Sequence, residues 1–71
     1  MAFSGQQLRE CRQVAGLSQK TLGQRIGTNR VQITNYENGH KEPRLPRLQS
    51  LALALGVRVD DLLDQRGVHV R

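Results

Sequence analysis

The 71-residue chain contains no tryptophan and only one tyrosine, one phenylalanine and one cysteine. With so few aromatic rings the core must be aliphatic. It must also be economical, because a domain of ~60 residues buries only about 60% of its unfolded surface. A lone cysteine, Cys11, excludes an internal disulfide and reads as a small core residue. No metal-ligand spacing occurs, and neither a metal nor another cofactor is expected. Long apolar runs are missing as well. The longest covers residues 51–55, far short of the ~20 residues that span a bilayer. No charged segment followed by an apolar one opens the chain, so no export signal is expected. The length leaves no room for a second domain with a substrate cleft. His40 and His69 stand without catalytic partners, and neither a phosphate loop nor an activated nucleophile is recognisable. The chain is not expected to be an enzyme.

Acidic residues are in deficit: six, against eleven Lys and Arg, for a net charge of +5. The excess is concentrated in the middle. Arg9, Arg12, Lys20, Arg25, Arg30, Lys41, Arg44 and Arg47 face only Glu10, Glu37 and Glu42 there. Toward the end, Asp60, Asp61 and Asp64 slightly outweigh Arg66 and Arg71. A basic middle suits an anionic partner, nucleic acid first and a membrane surface second. The membrane is disfavoured because no helix pairs a basic face with large exposed apolar residues. Charge alone also fits an ordinary solvated surface.

Helix signals recur along the chain. Ser4 can cap the Gln7 amide while Gln7 reaches back, and Phe3 and Leu8 stand at staple spacing. Leu8, Cys11 and Ala15 form an apolar stripe that Gly16 ends. Ser18 starts a second helix, with Leu17 and Leu22 at staple spacing and Leu22 and Ile26 facing inward, closed by Gly27. Asn29 caps a third helix, with Gln32 three residues on and Ile33 and Tyr36 as its apolar pair, ending near Asn38 and Gly39. After a polar loop holding Pro43, Pro46 sits in the first turn of a fourth helix. Leu48, Leu51, Ala52 and Leu55 repeat along that helix until Gly56. A short fifth helix covers about 59–63, with Asp60 and Asp61 in its first turn as helix-terminal acids. Residues 1–64 thus form one all-α domain, followed by a tail over 65–71. Residues 68–70 alternate too briefly to be a strand.

The turn between the second and third helices is very short, so the pair must cross steeply, as in a helix-turn-helix. Gly23 supplies the small residue where the helices meet. Here the chain resembles the Cro/C1-type (XRE-like) helix-turn-helix DNA-binding domains, which include lambdoid phage repressors and Cro proteins. The resemblance rests on Leu8 and Arg12, then Gly16-Leu17-Ser18-Gln19 with Leu22-Gly23. It continues through Ile26-Gly27 with Asn29, Ile33 with Tyr36-Glu37-Asn38-Gly39, Pro43, and Leu55-Gly56-Val57. It spans about residues 4–64. Gly23 stands where the family usually has alanine, and Thr28 where it more often has valine, which implies a less stable second helix.

The resemblance implies a compact five-helix bundle of the lambda-repressor-like type. It also implies a cytoplasmic, sequence-specific transcriptional regulator of bacterial or phage origin, binding double-stranded DNA as a homodimer. The third helix, about 30–38, becomes the recognition helix. Helical geometry turns Ile33 and Tyr36 inward, leaving Arg30, Val31, Thr34 and Asn35 for base edges. Arg30 suits guanine and Asn35 adenine, while Val31 and the Thr34 methyl suit thymine methyls. Arg30 can equally meet a phosphate, and Gln32 serves the cap as readily as readout. Gln19 matches a family glutamine that meets the DNA backbone and neighbouring readout side chains, and Asn38, His40, Lys41 and Arg44 match the phosphate clamp. Arg12 and Glu37 match a structural salt bridge. Leu53, Val57 and Val59, with Val68 and Val70, are the candidate dimer contact. Other readings with the same domain are an antitoxin-like protein serving a protein partner, a restriction–modification controller, or the DNA-binding piece of a longer regulator.

Overall fold

The first three helices each start at the cap that the local sequence nominates. In the computed structural model, which describes residues 3–64, Ser4 Oγ accepts from the Gln7 N–H at 3.2 Å. Ser18 Oγ does the same for Thr21 at 3.0 Å, and Asn29 Oδ1 for Gln32 at 3.0 Å. These caps open α1 (Gly5–Val14), α2 (Gln19–Arg25) and α3 (Arg30–Glu37). Helix α4 (Leu45–Leu55) starts after Arg44 with no side-chain cap, its Pro46 needing no N–H partner in the first turn. Gly16, Gly27, Gly39 and Gly56, expected to stop these four helices, all have positive φ.

The expected fifth helix is a 3₁₀ helix at Val59–Leu62. The described chain is therefore all-helical with four α-helices and one 3₁₀ helix. Four residues favour the tighter i→i+3 pattern. Asp61 Oδ2 accepts from the Arg58 N–H at 2.9 Å and caps this turn. The tail over 65–71, including Val68 and Val70, lies outside the described residues.

The two ends of the described chain meet. Phe3 and Leu63 form an isolated antiparallel bridge, and the Ser4 N–H donates to the Leu62 carbonyl at 2.9 Å. That bond explains a departure from expectation. With its target N–H already taken, Gln7 does not reach back to Ser4. Its Nε2 donates instead to the Asp61 carbonyl at 3.4 Å, tying α1 to the 3₁₀ helix.

Leu8, Leu22, Ile33, Tyr36, Leu48, Leu51, Ala52, Leu55 and Leu62 form the buried core. The chain's phenylalanine and tyrosine rings meet at its edge, Phe3 packing edge to face on Tyr36 with centroids 6.3 Å apart. A further close approach had no local signal. A Cβ on Gly5 would lie 2.5 Å from the Glu37 carbonyl oxygen and nearer still to that of Tyr36. The start of α1 therefore rests against the backbone at the end of α3. Gly5→Ala is expected to destabilise the fold by about 1–3 kcal/mol through overpacking, read as a lower urea midpoint. An unchanged midpoint would show that the contact yields freely.

Candidate nucleic-acid interface

Three features hold α2 and α3 in their crossing. The Thr28 N–H donates to the Gly23 carbonyl at 2.8 Å and closes the end of α2. A Cβ on Gly23 would lie 2.8 Å from the carbonyl carbon of Asn29. The glycine, costing about 1 kcal/mol in helix propensity relative to alanine, here admits a backbone approach that alanine would obstruct. Finally, Arg47 Nη1, from α4, donates to the Ile26 carbonyl at 3.1 Å. A cation at a helix C-terminus also complements the helix dipole. Arg47 is thus committed to positioning α2, a role that sequence reading missed.

Behind α3 lies a buried polar hub. The Glu37 side chain is fully buried and receives Arg12 Nε at 2.6 Å and Arg9 Nε at 3.4 Å. Gln19 Nε2 donates to the same carboxylate at 3.0 Å. Arg12 Nη1 continues to the Leu17 carbonyl at 2.9 Å, and Arg9 Nη2 to Asn38 Oδ1 at 3.1 Å. One carboxylate therefore ties α1, the start of α2 and the end of α3 together. Arg9 was absent from the expected set. Its spacing of three from Arg12 puts both on one helical face, a signal that was there to be used.

The hub reaches the outer face of α3 through Gln19. Its Oε1 lies 3.2 Å from Thr34 Oγ1, which also lies 3.0 Å from the Arg30 carbonyl. Arg30 and Val31 are exposed in the first turn of α3, while Thr34 and Asn35 are half-buried one turn later. Gln32 is half-buried, with its backbone serving the cap. Asn38, His40, Lys41 and Arg44 are exposed in the segment after α3. The His40 and Lys41 N–H groups both donate to the Asn35 carbonyl, folding that segment back along the helix end. A shallow recess lined by Lys20, Gln24, Thr28, Asn29, Arg30 and Val31 opens beside the start of α3.

The central cations thus divide. Arg9, Arg12 and Arg47 are spent on internal contacts. Lys20, Arg25, Arg30, Lys41 and Arg44 form no ion pair among the described residues and face solvent. Cys11 is half-buried, its Sγ 3.9 Å from the Asp61 carbonyl. Burial pushes its thiol up, and the charges of Asp61 and Glu10 add to that. Among the described residues no group of His, Cys, Asp and Glu could hold a metal ion. No described helix is long and apolar enough to cross a membrane.

A family model described as Helix-turn-helix matches residues 8–62. The chain is 39% identical over 56 residues to an uncharacterized HTH-type transcriptional regulator, y4wC, of Sinorhizobium fredii. That match covers 79% of this chain and 39% of the relative, so the chain spans about two-fifths of the relative's length. Among solved structures it is similar to the restriction-modification controller protein C.AhdI from Aeromonas hydrophila, with TM-score 0.78 and 37% identity over 83% of this chain and 89% of that one. It is also similar to the P22 c2 repressor protein, solved in complex with a synthetic operator, with TM-score 0.81 and 30% identity. There the match covers 90% of this chain and 97% of that one.

Proposed function

This chain belongs to the helix-turn-helix family, in its Cro/C1 (XRE-like) branch, and we propose that it is a sequence-specific, double-stranded-DNA-binding transcriptional regulator. The observation that carries the proposal is the division of its cations. Arg9, Arg12 and Arg47 are consumed by the fold, whereas Lys20 and Arg30 beside the start of α3, and Lys41 and Arg44 after its end, are open to an anion. In this reading α3 enters the major groove, with Arg30, Val31, Thr34 and Asn35 toward base edges. Gln19, Asn38, His40, Lys41 and Arg44 take the phosphates on either side. Arg12 and Glu37 serve the fold. Binding, not catalysis, is the activity, exercised in the cytoplasm of a bacterial host.

A single domain reads only a few base pairs, so we propose a homodimer on a pseudo-palindrome with half-sites about 34 Å apart. Leu53, 85% exposed on α4, is the anchor of the proposed contact. Val57 and Val59 are partly buried against the domain's own core, which leaves them a smaller share. The similarity to a restriction-modification controller over most of that protein's length favours one second reading, a controller using the same DNA-binding surface.

Selection of sites from a random duplex library tests the proposal. Enriched sites are expected to be inverted repeats, bound with steep salt dependence. Arg30→Ala is expected to relax preference at one position per half-site. Lys41→Ala is expected to weaken all sequences alike and to lower the salt slope by about one. If Arg30→Ala behaves like Lys41→Ala, Arg30 contacts phosphate; if nothing is enriched, the protein is not a sequence reader.

A further inference from the structure

The hydrogen-bond directions around Thr34 define what that residue can read. A carboxylate only accepts, so the Gln19 atom 3.0 Å from Glu37 Oε1 must be the amide nitrogen. This fixes the orientation of the amide. The Gln19 oxygen is then the atom that meets the Thr34 hydroxyl at 3.2 Å. The other protein group within reach is the Arg30 carbonyl at 3.0 Å, again an acceptor. A threonine hydroxyl has one hydrogen and two lone pairs. Whichever neighbour takes that hydrogen, it stays inside the protein. With the hydrogen so held, the hydroxyl has only lone pairs left to offer a further partner.

We propose that Thr34 reads its base solely as a hydrogen-bond acceptor, selecting the exocyclic amino group of adenine or cytosine against the oxygens of thymine and guanine. Glu37, three residues on in the same helix, enforces this by orienting Gln19. In the major groove adenine N6 and cytosine N4 are donors, whereas thymine O4 and guanine O6 are acceptors. Two acceptors facing each other repel and leave both unpaired. The inference rests on the DNA-reading function proposed above, and it differs from the thymine-methyl contact that residue type alone suggests for Thr34.

Site selection with the full chain and two variants tests it. Thr34→Val keeps the branched shape and removes the oxygen; Thr34→Ser keeps the oxygen and removes the methyl. One position per half-site is expected to change between the wild type and Thr34→Val. There the wild type should enrich adenine or cytosine on the contacted strand, and Thr34→Ser should keep that preference. Replacing the base by an analogue without the amino group should weaken wild-type binding about three- to tenfold, a single hydrogen bond's worth. It should leave Thr34→Val unaffected. Thermal melting checks that Thr34→Val folds; if it does not, Thr34→Ala takes its place in the same comparison. Enrichment of thymine or guanine at that position, or identical sites from wild type and the oxygen-free variant, overturns the inference while leaving DNA reading intact. A wild type that enriches no motif overturns both together.

Discussion

Glu37→Leu is expected to destabilise the domain by about 3–5 kcal/mol, the cost of removing one partner from a buried ion pair. The whole domain has only roughly 4–10 kcal/mol in hand for a chain of this length. The reason is geometric. Glu37 is fully buried and satisfies Arg12, Arg9 and Gln19 at once, so its loss strands the largely buried Arg12 guanidinium in the interior. The penalty is not symmetrical. Arg12→Leu should cost less, because Arg9 and Gln19 still satisfy the carboxylate. Arg9→Leu should cost least, its side chain being 46% exposed. The double variant Arg12→Leu/Glu37→Leu should lose less than the sum of its parts, since the two residues share one network. Urea denaturation of the four variants measures this order. A Glu37→Leu protein within about 1 kcal/mol of the wild type would show that the network is solvated and dispensable.

Leu51→Ala is expected to cost about 2–5 kcal/mol, and Leu53→Ala less than about 0.5 kcal/mol. The two leucines lie two residues apart on α4 in the most apolar stretch of the chain. Leu51 is fully buried, at 0% exposure, and Leu53 is 85% exposed. Truncating Leu51 removes core surface and leaves a cavity between α4 and its neighbours. Truncating Leu53 removes nothing that the monomer packs. Thermal melts at low protein concentration make the comparison, because a dimer through Leu53 would add its own concentration-dependent stability. Equal losses for the two variants would mean that α4 sits in a different rotation.

Both predictions show where local reading stops. The positions of Leu8, Leu22, Ile33, Leu48, Leu51 and Leu55 are legible from spacing, because a helix repeats its faces every three to four residues. Ser4, Ser18 and Asn29 are legible as caps because each bonds a group three residues ahead. Gly5 was not legible. Nothing within its own turn shows that the backbone of Tyr36 and Glu37 lies against it. Gln7 pairs with Asp61, 54 residues away, and Arg47 with a carbonyl 21 residues back. These partners are set by the packing of whole helices. The short segment at Val59–Leu62 had the residues of a helix start but lacked the length to choose α over 3₁₀ geometry.

The sequence by itself determined the helical punctuation, the apolar stripes, the short α2–α3 turn and a basic middle, because each follows from interactions within a turn or from a count of charges. Only the tertiary structure decided what the basic side chains do. A guanidinium in sequence is one unit of positive charge wherever it stands. Folding spends Arg9 and Arg12 on a buried carboxylate and Arg47 on a helix end, and leaves Lys20, Arg25, Arg30, Lys41 and Arg44 facing solvent. The scarcity of aromatic residues is resolved in the same way. With two rings to place, the fold sets them edge to face and fills the rest of the core with aliphatic residues, mostly leucine. A charge can be counted along the chain, but burial and partnership depend on distances between residues far apart in sequence, and those exist only once the helices have packed.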